Sequence, residues 1–202
     1  MAFRLKSVVC SAQGAWNIYI LQPEWLDRKG VFTPGKPVLV EALTAGPGFR
    51  FSAGKKALQW VVNPFQVTVA GGPDQGAETG AGMAVLLKAL PETPLRNVGF
   101  QLEFRGSESV KDQEAVPDLG LKSAPGEPVL SRGVSLVVGR GETRYHLRLT
   151  RDADAPGPTL DVTAFLKGDG LAARADEFLQ NFGGQVEAVR DIAARHLSIT
   201  LA

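Results

Sequence analysis

Hydrophobic residues alternate with small or polar ones along several stretches of the chain, as expected for strands with one buried face. The clearest stretch has apolar side chains at every second position, namely Val98, Phe100, Leu102 and Phe104. Strands are also predicted over 3–11, 16–22, 37–44, 49–52, 134–138, 143–150 and 160–167, and 57–70 is predicted to be one long strand or two strands interrupted at Asn63-Pro64. Because proline cannot donate a ladder hydrogen bond, Pro64 predicts a bulge or a sheet edge within 57–70.

Two segments have helical character. A short helix is predicted over 81–90, and Pro91 ends it because proline restricts the residue that precedes it. In the C-terminal tail, apolar residues recur at spacings of three and four from Leu171 to Ala193, the pattern of an amphipathic helix. Gly183 and Gly184 lie within this pattern, and each costs about 1 kcal/mol relative to alanine. One long C-terminal helix that kinks or divides at this glycine pair is therefore predicted.

The order of these elements indicates the fold class. Strands come first, followed by one short helix, further strands and one long helix, without the strand–helix alternation that builds parallel sheets. We therefore expect an α+β fold with a largely antiparallel β-sheet, and a single domain over residues 1–202. Residues 106–132 mix proline, glycine and charged side chains with little periodicity. A loop this long is uncommon in a compact domain, so it is predicted to be mobile or functional.

Composition and charge narrow the classes of function. The 22 basic and 21 acidic residues give a net charge of +1, so no strong field attracts nucleic acid. The single cysteine, Cys10, excludes an intrachain disulfide. The sequence has no run of about 18 apolar residues, and its start has no signal-peptide core. We therefore expect a cytoplasmic protein that binds neither nucleic acid nor membrane.

A glycine-rich segment between a strand and a helix is the best candidate for ligand binding. Its glycines are Gly71, Gly72, Gly76, Gly80 and Gly82. A helix that begins after such a loop can bind phosphate, but Ala77-Glu78 stands where a P-loop has lysine and a hydroxyl residue. Glu103 ends the next strand, where a ribose-binding acid would lie. A plain flexible turn is the favoured interpretation, and a small-molecule or nucleotide site that uses these glycines with Glu103 is the alternative.

The remaining chemistry-bearing residues form no recognisable catalytic or metal site, and no cofactor is predicted. His146 is expected on the solvated face of a strand, and His196 at the end of the last helix, where a cation complements the helix dipole. Together with Cys10 they lack the spacing of a zinc site. Ser135 lacks the second glycine of a nucleophile elbow. Cys10 follows two valines in a predicted strand, which indicates a buried, inert thiol.

Trp25 has two interpretations. It follows Pro23 in a predicted loop or short helical turn. Packing over the edge of the core is the ordinary role for such a residue. The alternative is an exposed anchor in a protein interface, since tryptophan is enriched in interface hot spots.

One stretch resembles a group of uncharacterised bacterial proteins. The resemblance covers 16–104, and its motifs are Trp60-Val61-Val62-x-Pro64 and Leu90-Pro91-x-Thr93-Pro94-Leu95-x-x-Val98-Gly99-x-Gln101. Gln101 departs from the group, which has asparagine there. The resemblance implies a sheet with a short helix and a Leu-Pro-x-Thr-Pro strand entry. It also implies a bacterial origin, but it implies no particular activity.

The sequence therefore favours a non-enzymatic interaction module, a subunit, adaptor or chaperone-like component of a bacterial assembly. Its partner would be another protein or a second copy of the chain. An exposed sheet edge can recruit a further strand. The segment 106–132 can order on contact with a partner.

Overall fold

The structure, a computed structural model, describes residues 2–31, 40–44, 46–53, 58–106, 131–152, 154–168 and 170–202. Within these residues the chain forms strands and helices in the following order: β1 (Ala2–Gly14), α1 (Pro23–Arg28), β2 (Val40–Ala42), β3 (Phe49–Ala53), β4 (Leu58–Val62), β5 (Gln66–Gly71), α2 (Gly76–Ala89), β6 (Leu95–Gly106), β7 (Ser131–Arg140), β8 (Thr143–Asp152), β9 (Thr159–Lys167), α3 (Leu171–Gln180), α4 (Phe182–Leu197) and β10 (Thr200–Leu201).

Nine strands form one antiparallel sheet in the order β2-β3-β4-β5-β1-β6-β9-β8-β7. The short β10 pairs in parallel with the first residues of β1, with Ala2 opposite Thr200. Farther along β1, from Val8 to Gln13, β5 is the antiparallel neighbour. The predicted α+β class and the largely antiparallel sheet are therefore confirmed.

Three helices pack on one face of the sheet. Helix α2 lies against β1 and β5, α3 lies against β6 and β9, and α4 lies beside β10. We call this face the inner face. It is lined by alternate, fully buried side chains such as Cys10, Phe100 and Leu160. On the outer face, which carries the intervening residues, Gln101 and Asp161 are exposed.

Phe100 joins the helices to the centre of the sheet. Its ring centroid lies 5.6 Å from that of Phe178 in α3 and 5.3 Å from that of Phe182 in α4. Aromatic pairs at these separations add to the free energy gained from burial. This cluster positions α3 and α4 on β6.

The structure decides two of the strand predictions. Residues 16–22 form no strand, since the chain turns after Gly14 and Pro23 starts α1 as its first residue. The indole of Trp16 donates a hydrogen bond to the carbonyl of Ala12, 3.2 Å away, which holds the turn against β1. The second interpretation of 57–70, two strands interrupted at Asn63-Pro64, is confirmed by β4 and β5, and Asn63-Pro64-Phe65 forms the turn of their hairpin rather than a bulge.

The prediction of one short helix and one long C-terminal helix is also wrong. Three helices of 10 to 16 residues pack on the sheet, and α1 is a fourth, short helix among the described residues. The predicted C-terminal helix is two helices, and the boundary lies at Asn181 rather than at Gly183-Gly184. Asn181 ends α3 and caps α4, and its side-chain oxygen accepts a hydrogen bond from the amide of Gly184 at 3.2 Å.

The predicted loop 106–132 lies almost entirely outside the described residues. Gly106 is the last residue of β6, and Ser131 and Arg132 begin β7.

Candidate functional site

Strand β7 forms one edge of the sheet. It has ten residues and pairs with β8 along its whole length, from Ser131 opposite Asp152 to Arg140 opposite Thr143. Among the described residues, no strand pairs with its other side. An edge of this kind presents backbone N–H and C=O groups to any further strand that approaches.

The turn between β7 and β8 determines which amides of β7 point outward. Only Gly141 and Glu142 lie between the paired residues Arg140 and Thr143, and Gly141 has a φ of 57°. In a two-residue hairpin the closing pair is hydrogen-bonded, and the bonds then recur at every second residue. The even-numbered residues of β7 therefore bond to β8. The odd-numbered residues direct their N–H and C=O groups to the open edge, and these are Gly133, Ser135, Val137 and Gly139.

The composition of β7 leaves this edge unprotected. Between Arg132 and Arg140 the sequence is Gly-Val-Ser-Leu-Val-Val-Gly, which has neither a charge nor a proline. Edge strands usually avoid pairing with other chains by being short or by carrying charges, prolines or bulges. The opposite edge follows that rule, because β2 has three residues and carries Glu41. The two edges of the sheet are therefore unequal.

The two faces of β7 also differ. Even-numbered side chains face inward, and Leu136 and Val138 are half-buried against the core. Odd-numbered side chains face outward, and Val137 is 60% exposed. A strand added beside β7 would cover apolar surface on its inner face.

Contacts with α4 fix the hairpin in place. The guanidinium of Arg140 forms an ion pair with Asp191, and this hydrogen bond holds the pKa of Asp191 below its ordinary value. The hydroxyl of Tyr145 in β8 donates a hydrogen bond to the Gln185 side chain at 2.8 Å, and this pair is buried. The edge is therefore held in a defined position before any partner arrives.

A row of polar side chains crosses the outer face next to this edge. Glu103 in β6 is directly opposite Asp161 in β9, and Asp161 is opposite Arg148 in β8. Burial raises the pKa of Asp161, the charge of Glu103 raises it further, and Arg148 and Arg105 oppose the shift. Like charges directly opposite each other in a sheet are destabilising. The flanking arginines offset that cost in part.

Ser135 and His146 form a hydrogen-bonded pair on the same face. The Ser135 hydroxyl oxygen lies 2.7 Å from Nε2 of His146, and His146 is exposed as predicted. No other side chain in the described part of the chain is hydrogen-bonded to His146. Backbone amides of a strand lie in the plane of the sheet, so β7 and β8 direct no backbone N–H group from this face towards the pair.

The glycine-rich segment has a different structure from the predicted loop. Helix α2 already begins at Gly76, so Gly76, Gly80 and Gly82 are helical. A Cβ atom at Gly80 would overlap the Leu179 carbonyl oxygen, and one at Gly76 would overlap the Phe182 ring. These glycines allow α2 to approach α3 and α4 closely.

The remaining glycines belong to a short turn. Gly71 ends β5, and the amide of Gly72 donates a hydrogen bond to the side-chain oxygen of Gln75 at 2.5 Å. That bond ties the turn to the residue that precedes α2.

The structure places Glu103 on the opposite face of the sheet from the helical Gly80. Phe100 lies on the inner face of β6, next to Gly80. A Cβ atom at Gly80 would be 3.0 Å from its ring. Glu103 is three residues further along and faces the opposite side of the sheet. It accepts hydrogen bonds from Ser7 at 3.2 Å and from Arg105 at 2.7 Å. Ligand binding by the glycines, with or without Glu103, stays a prediction.

Trp25 lies in α1, where it is half-buried against the core. The ammonium group of Lys29 is 5.6 Å from its ring centroid, a cation–π contact. Its use as an interface anchor stays a prediction. Cys10 is fully buried, and burial raises the pKa of its thiol, which keeps it protonated.

Comparisons with known proteins leave the family open. No protein-family model matches the chain, and no curated protein is significantly similar to it. The resemblance to a bacterial group, and the bacterial origin that it implies, therefore stay predictions. Within the described ranges, no helix is both long and apolar enough to cross a membrane. No three His, Cys, Asp or Glu side chains of the described residues are grouped as metal ligands.

Proposed function

We propose that this protein is a non-enzymatic interaction module, a subunit or adaptor of an assembly, that captures an extended segment of a partner as an additional strand along β7. The observation that carries the proposal is the long edge of β7, with its uncharged centre and the outward N–H and C=O groups of alternate residues. Strand addition uses main-chain hydrogen bonds for affinity and alternate side chains for specificity.

The geometry also indicates which segments β7 would accept. Each new backbone hydrogen bond contributes about 0.5–1.5 kcal/mol net, and ordering the incoming segment offsets much of that gain. Binding therefore needs burial of apolar side chains as well. A segment with apolar residues at alternate positions would extend the half-buried inner row of Leu136 and Val138. A polar or proline-rich segment would gain neither the full ladder nor this burial.

The experiment that tests the proposal compares two substitutions at one position. Val137→Pro removes an outward N–H while leaving the bonds from β7 to β8 intact, because proline is tolerated on the open side of an edge strand. Val137→Ala keeps the N–H and removes more of the side chain than the proline does, so a loss that the proline variant alone shows is due to the backbone. Tagged wild type and both variants would be purified from the protein's own cells, and bound proteins quantified by mass spectrometry.

We expect a partner that copurifies in equal amounts with the wild type and Val137→Ala, and at least about tenfold less with Val137→Pro. Far-ultraviolet circular dichroism and a thermal melt show whether the proline variant is folded. Equal recovery with all three proteins would contradict capture at β7. Failure of the wild type to retain any protein would contradict the interaction module itself.

A further inference from the structure

A groove lies at one end of the sheet, separated from β7 by several strands. It has a volume of about 600 Å³ and is open to solvent. Its apolar wall consists of Leu43, Pro47, Pro64 and Phe65. We call it the Phe65 groove. Its size falls within the range of about 300–1,000 Å³ that is usual for ligand sites.

A rigid turn holds Phe65 at the mouth of this groove. The side-chain oxygen of Asn63 accepts hydrogen bonds from the amides of Phe65 and Gln66, both at 2.9 Å. The Phe65 carbonyl accepts the amide of Gly14, and the Pro64 carbonyl accepts that of Trp16, each at 2.9 Å. Nevertheless the Phe65 side chain is 74% exposed. An exposed aromatic ring on a backbone that is already hydrogen-bonded can bind apolar groups without first ordering that backbone.

The polar wall of the groove supplies positive charge and hydrogen-bond donors. Arg96 is the one charged residue that lines it, and among the described residues Arg96 has no ion pair or side-chain hydrogen bond. Gln13 also lines the groove, and its carbonyl oxygen is already used by the Asn97 side chain at 2.7 Å, which leaves its amide group to donate. An apolar wall beside an unpaired guanidinium is complementary to an apolar group that carries a carboxylate.

We propose that the Phe65 groove binds the carboxyl-terminal residue of a partner chain. An aromatic or large aliphatic side chain would pack on Pro64 and Phe65, and the terminal carboxylate would pair with Arg96. The open side of the groove gives the rest of the partner chain a way out, which a site for an enclosed small molecule would not need. This inference does not depend on strand addition at β7, because it rests on different residues.

The test uses a fluorescein-labelled hexapeptide that ends in phenylalanine, in two forms, one with a free carboxylate and one with a terminal amide. Fluorescence polarisation measures the affinity of each for the full chain. We expect the free acid to bind about tenfold more tightly than the amide, since only the acid makes a charge-assisted bond. Arg96→Gln should remove that preference, and Phe65→Ala should weaken both peptides.

Arg144→Gln is the matched control, because Arg144 is an exposed arginine on β8, outside the groove. It should leave both affinities unchanged. Equal binding of acid and amide, or an Arg96→Gln variant that keeps the preference, would overturn the proposal. Competition by free 3-phenylpropionate at least as strong as that of the unlabelled peptide would also overturn it, since the groove would then be a site for small apolar acids.

Discussion

Gly80 allows α2 and α3 to pack closely. A methyl group at this position would clash with a backbone carbonyl of α3, whereas the hydrogen of glycine fits. Backbone atoms cannot move aside as a flexible side chain can. The role of this glycine is therefore packing between helices. The sequence shows only that glycines are frequent here, and the same composition suits a flexible loop, so the local pattern could not distinguish the two.

We predict that Gly80→Ala lowers the free energy of unfolding by about 1–3 kcal/mol, the usual cost of overpacking. Gly183 in the first turn of α4 provides the control, since a Cβ there meets nothing within 4 Å. Gly183→Ala should raise stability by about 0.5 kcal/mol, because alanine loses less backbone entropy in a helix. Urea unfolding of the three proteins measures both effects. A Gly80→Ala protein as stable as the wild type would contradict the packing role.

The Glu103–Asp161 pair should make the stability of the fold depend on pH. Since the pKa of Asp161 is raised above 3.8 in the folded state, its ionised form destabilises the fold at neutral pH. That cost disappears as the pH falls through the raised pKa towards 3.8. Asp161→Asn should therefore be slightly more stable than the wild type at pH 7, by less than about 1 kcal/mol because solvent screens an exposed pair. Urea midpoints of the two proteins should converge as the pH is lowered, and a gap that widens would contradict the shift.

At the scale of elements, the sequence predicts the strands and helices whose apolar residues recur at a regular spacing. Strands β6 to β9 follow from alternation. Residues 16–22 are mostly apolar without forming a strand, because the chain turns there and the Trp16 indole is hydrogen-bonded to the end of β1. The break in the C-terminal helix lies two residues before the glycine pair, since Asn181 supplies the cap that a new helix needs.

The Asn181 cap at the start of α4 should contribute to the stability of the protein. Asn181→Ala should lower stability by about 1 kcal/mol, because the amide of Gly184 loses its acceptor. Asn181→Asp keeps an acceptor oxygen, and the dipole of α4 favours its negative charge while the dipole of α3, which ends at the same residue, opposes it. Thermal unfolding should therefore place the aspartate variant close to the wild type and the alanine variant below both. Equal melting temperatures for all three would show that the side chain of Asn181 does not cap α4.

At the scale of the whole molecule, the strand order decides the function that we propose. That order could not be read from the sequence, because β1 lies between β5 and β6, and β9 lies between β6 and β8. Nothing local in β7 says that it is an edge strand. The uncharged run between Arg132 and Arg140 would equally suit a central strand. Only the pairing of distant segments leaves the long β7, with its uncharged centre, at one edge and the short β2 at the other.

Amide hydrogen exchange of the free protein, followed residue by residue by nuclear magnetic resonance, tests most directly whether the β7 edge is open. We predict alternation along β7: slow exchange at Val134, Leu136 and Val138, whose N–H groups bond to β8, and fast exchange at Ser135 and Val137, whose N–H groups face the open edge. Slow exchange at every residue of β7 in the monomer would contradict the account, because the edge would already be paired within the chain.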